Sequence, residues 1–66
     1  TVSEWIKQRR LQRCRADLAA AGCDGLSLTQ IAMKNGFADA PQFSRSFRAA
    51  FGTTPREFRQ AAREGR

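Results

Sequence analysis

The sequence predicts an all-α fold of four helices, and three observations carry that prediction. The pattern S/T-x-x-E/Q stands at Thr1 to Glu4, Ser27 to Gln30 and Thr54 to Glu57. In such a box the first and fourth side chains satisfy each other's backbone amides, so each marks a helix start. Glycine and proline are confined to the ends of the segments so defined, where a positive φ or a missing amide is tolerated. Apolar residues recur at helical spacing between those ends, most plainly at Phe43, Phe47 and Phe51.

The first helix follows from Thr1-Val2-Ser3-Glu4 and a run from Val2 to Ala21 without Gly or Pro. Ile6, Leu11, Cys14, Leu18 and Ala21 fall within one broad arc and are its expected buried face. Arg10 lies among them and needs an acid or a carbonyl as acceptor if buried. Gly22-Cys23-Asp24-Gly25 is expected to end the helix through positive-φ glycines. Ser27-Leu28-Thr29-Gln30 opens a short second helix to Asn35, with Leu28, Ile31 and Ala32 inward and Gly36 as its stop. Phe37 is placed to fold back on the last turn, as in a Schellman ending. Asp39 caps a third helix with Pro41 in its first turn and Gln42 at the box position, and Gly52 ends it. Pro55 and Glu57 then start a fourth helix, with Phe58, Ala61 and Ala62 inward.

Composition narrows the function classes. The chain has 66 residues, with 12 Lys+Arg against 6 Asp+Glu and a formal charge of +6. A chain this short buries about 60% of its unfolded surface, too little for a sizeable enzyme cleft. It has no His and no Tyr, and Cys14 and Cys23 form neither a C-x-x-C pair nor a zinc set. The expectation is therefore no enzyme, no metal, no cofactor and two reduced thiols. No apolar run approaches a membrane span and no signal-peptide pattern opens the chain, which predicts a soluble, cytoplasmic protein without membrane contact.

Two short helices joined by a tight Gly-containing turn, inside a basic all-helical chain, are the signature of a helix-turn-helix, here of the homeodomain-like kind. Phe43, Phe47 and Phe51 share the inner stripe of the third helix, while Arg45 lies about 200° round from Phe43, at the centre of the opposite face. Gln42, Pro41, Ala49 and, at the flank, Arg48 share that face. Arg pairs bidentately with guanine and Gln with adenine, so Gln42 and Arg45, with Pro41, Ala40 and Ala49 around them, are the candidate base contacts. Arg48, Ser44, Thr54, Arg56 and Arg59 are the candidate phosphate contacts, which orient without specifying. Trp5 lies off the apolar arc and is expected to pack against chain outside these residues. Two other classes are weighed beside this one: a protein-binding module presenting Trp5 and Ala16 to an acidic partner, and a nucleic-acid binder without sequence preference.

The string from Gly36-Phe37 through Pro41-Gln42-Phe43-Ser44-Arg45-Ser46-Phe47-Arg48, followed by Phe51-Gly52-Thr53-Thr54-Pro55-Arg56-Glu57-Phe58-Arg59, resembles the C-terminal signature of the AraC/XylS transcriptional regulators. Arg10-Leu11, Cys14, Leu18, Leu28, Ile31 and Ala32 also fit that family's spacing, so the resemblance covers nearly the whole chain. It implies one domain over residues 1–66, resembling the second half of a DNA-binding region with two helix-turn-helix units. Residues 1–21 would be the linking helix, 28–51 the second helix-turn-helix with its recognition helix at 40–51, and 55–64 the closing helix. The implied parent is a bacterial regulator that binds double-stranded promoter DNA and contacts RNA polymerase. Its first helix-turn-helix and any effector domain would lie outside this chain. Ala40 and Pro41 depart from the polar base-reading residues that members often carry there.

Overall fold

The computed structural model describes residues 1–65, and among them there are helices and turns but no strand. The helices are α1 (Val2–Ala19), α2 (Leu28–Lys34), α3 (Ala40–Phe51) and α4 (Pro55–Glu64), with a single 3₁₀ turn, Ala21–Cys23, between α1 and α2. All the expected starts are made by the residues that predict them. Thr1, Ser27 and Thr54 each close a reciprocal box with Glu4, Gln30 and Glu57. Asp39 accepts from the Gln42 amide at 2.7 Å, and Pro41 sits in the first turn of α3 where no amide is required.

The first connection differs from expectation. α1 stops at Ala19, and Ala20 is extended at φ −79° and ψ 127°. Gly22 and Gly25 do not take positive φ; among the described residues only Gly36 and Gly52 do. The chain reverses instead through consecutive tight turns, Cys23 N to Ala20 O at 3.0 Å, Asp24 N to Ala21 O at 3.2 Å and Leu26 N to Cys23 O at 3.0 Å, and these need no left-handed residue.

The core is formed by Leu11, Cys14 and Leu18 of α1, Ile31 and Ala32 of α2, Phe37 of the turn, and Phe43 and Phe47 of α3. Leu26, Leu28, Phe51 and Phe58 close its margins. A chain of aromatic contacts runs through it, with ring centroids 5.2 Å apart for Phe37 and Phe43, 5.8 Å for Phe43 and Phe47, and 5.7 Å for Phe47 and Phe58. Each buried Phe contributes about 1.5–3 kcal/mol by leaving water, so this series is the main stabilising element of so small a core. At its outer edge the Arg15 guanidinium lies 5.3 Å from the Phe51 ring and 5.7 Å from that of Phe58.

Several expected inner residues are exposed. Ile6 is 38% accessible because it lies on the first half of α1, all of whose residues up to Arg10 are exposed and which contributes nothing to the buried core among the described residues. Ala21 lies in the 3₁₀ turn beyond the helix and faces solvent, and Ala61 of α4 is also exposed. In α4 the inner position belongs to Arg59 rather than Ala61. Arg59 is buried because its Nη2 donates to the carbonyls of Cys23 at 2.8 Å and Asp24 at 3.1 Å, fastening α4 to the first connection.

Candidate nucleic-acid interface

The outer face of α3 is set by the turn before it. Asn35 caps α2, Gly36 takes φ 92°, the Phe37 amide donates to Ala32 O at 3.0 Å and the Gly36 amide to Met33 O at 3.1 Å. Those are the two bonds of a Schellman ending, completed by burial of the Phe37 ring in the core. Two residues later Asp39 opens α3. Phe43 and Phe47 then anchor the inner side, which fixes the rotation of the helix and turns the opposite side to solvent.

Pro41, Gln42, Arg45, Arg48 and Ala49 are all exposed on α3, while Ala40 and Ser44 are half-buried at the edge of the face. Gln42 occupies the position at which Gln30 and Glu57 complete their boxes, but its side chain does not return to the cap. Gln30 spends its amide oxygen on the Ser27 amide at 2.7 Å; the side-chain amide of Gln42 has no such engagement and projects from the first turn with its donor and acceptor available. Arg45 makes no ion pair or side-chain hydrogen bond among the described residues. Arg48 also lies outside any ion pair among the described residues, although its charge helps hold the Glu57 carboxyl low.

The phosphate candidates separate. Arg56, on the first turn of α4, is exposed and makes no side-chain hydrogen bond or ion pair among the described residues. Thr54 is committed to its cap: its hydroxyl donates to Glu57 Oε1 at 2.8 Å, its amide donates to the same oxygen at 3.2 Å, and its hydroxyl accepts from the Glu57 amide. Those bonds, the side-chain one foremost, push the Glu57 carboxyl below its ordinary value. Thr54 therefore brings no spare donor to a phosphate. Arg59 stands apart from the exposed candidates, since only 8% of it is accessible and its Nη2 donates to the Cys23 and Asp24 carbonyls.

Around this face lie contacts that the sequence pattern does not announce. Asp17 of α1 accepts from Asn35 Nδ2 at 3.0 Å and lies 3.4 Å from Lys34 Nζ, and Arg10 stacks against Gly36. Arg10 is exposed, so it needs no buried acceptor; its stem and guanidinium cover the turn instead. Only side-chain placement in three dimensions pairs α1 with a turn this far along the chain. The Cys14 thiol, beneath the same contacts, is pushed up to about 11 by burial and then by the Asp17 carboxylate, with the Asn35 amide opposing. Cys14 and Cys23 are both free thiols. Among the described residues no cluster of His, Cys, Asp and Glu could hold a metal ion, and no helix is long and apolar enough to cross a membrane.

A basic helix-turn-helix whose second helix presents an amide and two guanidinium groups on a bare outer face defines a DNA-binding module. Residues 1–61 match the family model described as a helix-turn-helix domain. The chain is 36% identical over 62 residues to the transcriptional activator RhrA of Rhizobium meliloti, covering 94% of this chain and 19% of that protein. It is 38% identical over 63 residues to the HTH-type transcriptional regulator ArgR of Pseudomonas aeruginosa, covering 96% of this chain and 18% of that protein. It is also 34% identical over 65 residues to the XylDLEGF operon transcriptional activator of Pseudomonas putida, covering 97% of this chain and 20% of that protein. The chain belongs to the helix-turn-helix family of AraC/XylS-type transcriptional regulators. It spans about a fifth of the length of these curated relatives. No solved structure gives a significant match.

Proposed function

We propose that α3 enters the major groove of double-stranded promoter DNA and that this chain is a sequence-reading module of a longer bacterial regulator. The observation that carries the reading is the state of the outer face of α3. Gln42 and Arg45 are exposed and their side chains have no partner among the described residues, on a helix whose inner face is locked by Phe43 and Phe47. In this reading Arg45 takes a guanine edge and Gln42 an adenine edge, while Pro41, Ala40 and Ala49 allow close approach and offer apolar contact to a thymine methyl. Arg48, Arg56 and Ser44 meet phosphates on the two sides of the groove.

The parent regulator would be a cytoplasmic, non-enzymatic protein that contacts RNA polymerase; two of the relatives carry the name transcriptional activator. A preceding helix-turn-helix unit and an effector domain belong to the same reading. Val2 at 76%, Trp5 at 62% and Ile6 at 38% exposure form an apolar strip on the first half of α1 that such a preceding unit would cover. A single module buries only about 600–1,000 Å² on DNA, so the isolated chain is expected to bind weakly and with marked salt dependence.

The test is a pair of substitutions measured on a duplex selected from a randomised pool and on its scrambled counterpart. Arg45→Ala should lose about 1–3 kcal/mol on the selected duplex and little on the scrambled one. Arg48→Ala should weaken both alike and lower the salt slope by about 0.9. Equal losses on both duplexes for both variants would remove the base-reading assignment and leave a nonspecific binder.

A further inference from the structure

We infer that Asp17 and Arg10, two residues of α1 that contact the turn before α3, are positioning residues for α3, acting through that turn. The inference rests on the proposed reading of DNA by α3. The hinge of that turn is Asn35 followed by Gly36, and each is held by one side chain of α1. Asn35 Nδ2 donates to Asp17 Oδ2 at 3.0 Å and to Ile31 O at 2.9 Å, so its amide bridges α1 to the last turn of α2. Lys34 Nζ reaches the same Asp17 oxygen at 3.4 Å, and the Asp17 side chain is only 22% exposed. One residue on, a Cβ at Gly36 would stand 3.0 Å from Arg10 Nε and 3.2 Å from Cζ, so the Arg10 side chain packs closely over the bare backbone of the left-handed position. Arg10 and Asp17 are two helical turns apart on α1, with Cys14 between them buried in the core.

This arrangement does more than glue two helices. The direction in which α3 leaves the turn depends on the backbone angles of Asn35 and Gly36, and apolar packing of Phe37, Phe43 and Phe47 is less directional than a hydrogen bond in holding them. The polar contacts from α1 are directional and select one setting. A bidentate base contact requires the side chain to be placed within a fraction of an ångström, so a small error in that setting lowers discrimination before it lowers general affinity.

The experiment compares the wild-type chain with Asp17→Leu, Asp17→Asn and Arg10→Met, using the selected and scrambled duplexes and the circular dichroism of each variant. Asp17→Leu fills the space without an acceptor for Asn35; Asp17→Asn restores an oxygen acceptor. The expected result is a fall of roughly 3- to 10-fold in the ratio of affinities for Asp17→Leu, recovery to near the wild-type ratio in Asp17→Asn, and helix content unchanged. A purely packing role predicts the reverse order, because leucine fills an inter-helix site better than asparagine. Arg10→Met, at an exposed position, keeps the stem and carries the test if Asp17→Leu does not fold; it should lower the same ratio. An unchanged ratio in Asp17→Leu and Arg10→Met, with a discriminating wild type, overturns the positioning roles alone. A wild type that does not distinguish the two duplexes overturns the DNA-reading proposal, and this inference with it.

Discussion

At the residue scale, the arginines divide by what their guanidinium groups already touch. Arg59 is spent on two carbonyls inside the molecule, and Arg63 donates to Asp24 O at 3.0 Å from a half-exposed position. Arg45, Arg48 and Arg56 are exposed and outside every ion pair among the described residues. Arg59→Met should therefore cost about 2–3 kcal/mol in chemical denaturation, because two carbonyls lose charged donors, and should alter DNA binding only as far as it alters folding. Arg63→Ala should cost under about 1 kcal/mol in the same assay, as exposed pairs do. Glu57 gives a pH prediction. Its folded pKa lies below the ordinary 4.5, so its contribution is fully present above that value and is lost as pH falls through the folded pKa. Melting temperature should decline on acidification more steeply in the wild type than in Glu57→Gln, whose amide completes the box without titrating.

At the element scale, the two left-handed glycines make a graded prediction. Gly36, at φ 92°, is packed under Arg10, whereas Gly52, at φ 76°, has no atom within 4 Å of a built Cβ. Alanine at either strains the backbone by about 1–2 kcal/mol, and Gly36→Ala must also displace the Arg10 side chain, so thermal melting should rank it the more damaging. The helix starts were legible because Thr1, Ser27, Asp39 and Thr54 act locally, each on an amide three residues away. The endings at Gly36 and Gly52 were legible for the same reason. The end of α1 was misjudged because Gly22 and Gly25 fit a left-handed cap in sequence, while the actual reversal is fixed at long range by Arg59 of α4 holding Cys23 O and Asp24 O. Burial of Arg59 in place of Ala61 has the same origin: no periodicity shows that an arginine has carbonyls waiting opposite it.

At the scale of the whole molecule, helix α1 extends past the core that its second half builds, which stretches a chain of 11.2 Å radius of gyration to 36 Å along its longest axis. Exposure of Trp5, with Arg9 over its ring at 5.3 Å, makes it a reporter rather than a support. Trp5→Ala should change the stability of this chain by no more than about 0.5 kcal/mol, and wild-type Trp5 fluorescence should be readily quenched by iodide. The outer face of α3 was the most legible part of the candidate site, since helical geometry alone puts Gln42 and Arg45 opposite the Phe stripe and Arg48 at its flank. What holds that face in place, from Asp17 and Arg10, was not legible, because it depends on which side chains of α1 meet the turn. Docking of α3 in the groove is tested by an amide NMR titration of the labelled chain with the selected duplex at low and then physiological salt. Shifts concentrated on Gln42 to Ala49 and on Arg56, weakening as salt rises, are the predicted result. Shifts confined to α1, or none at either salt, would contradict it.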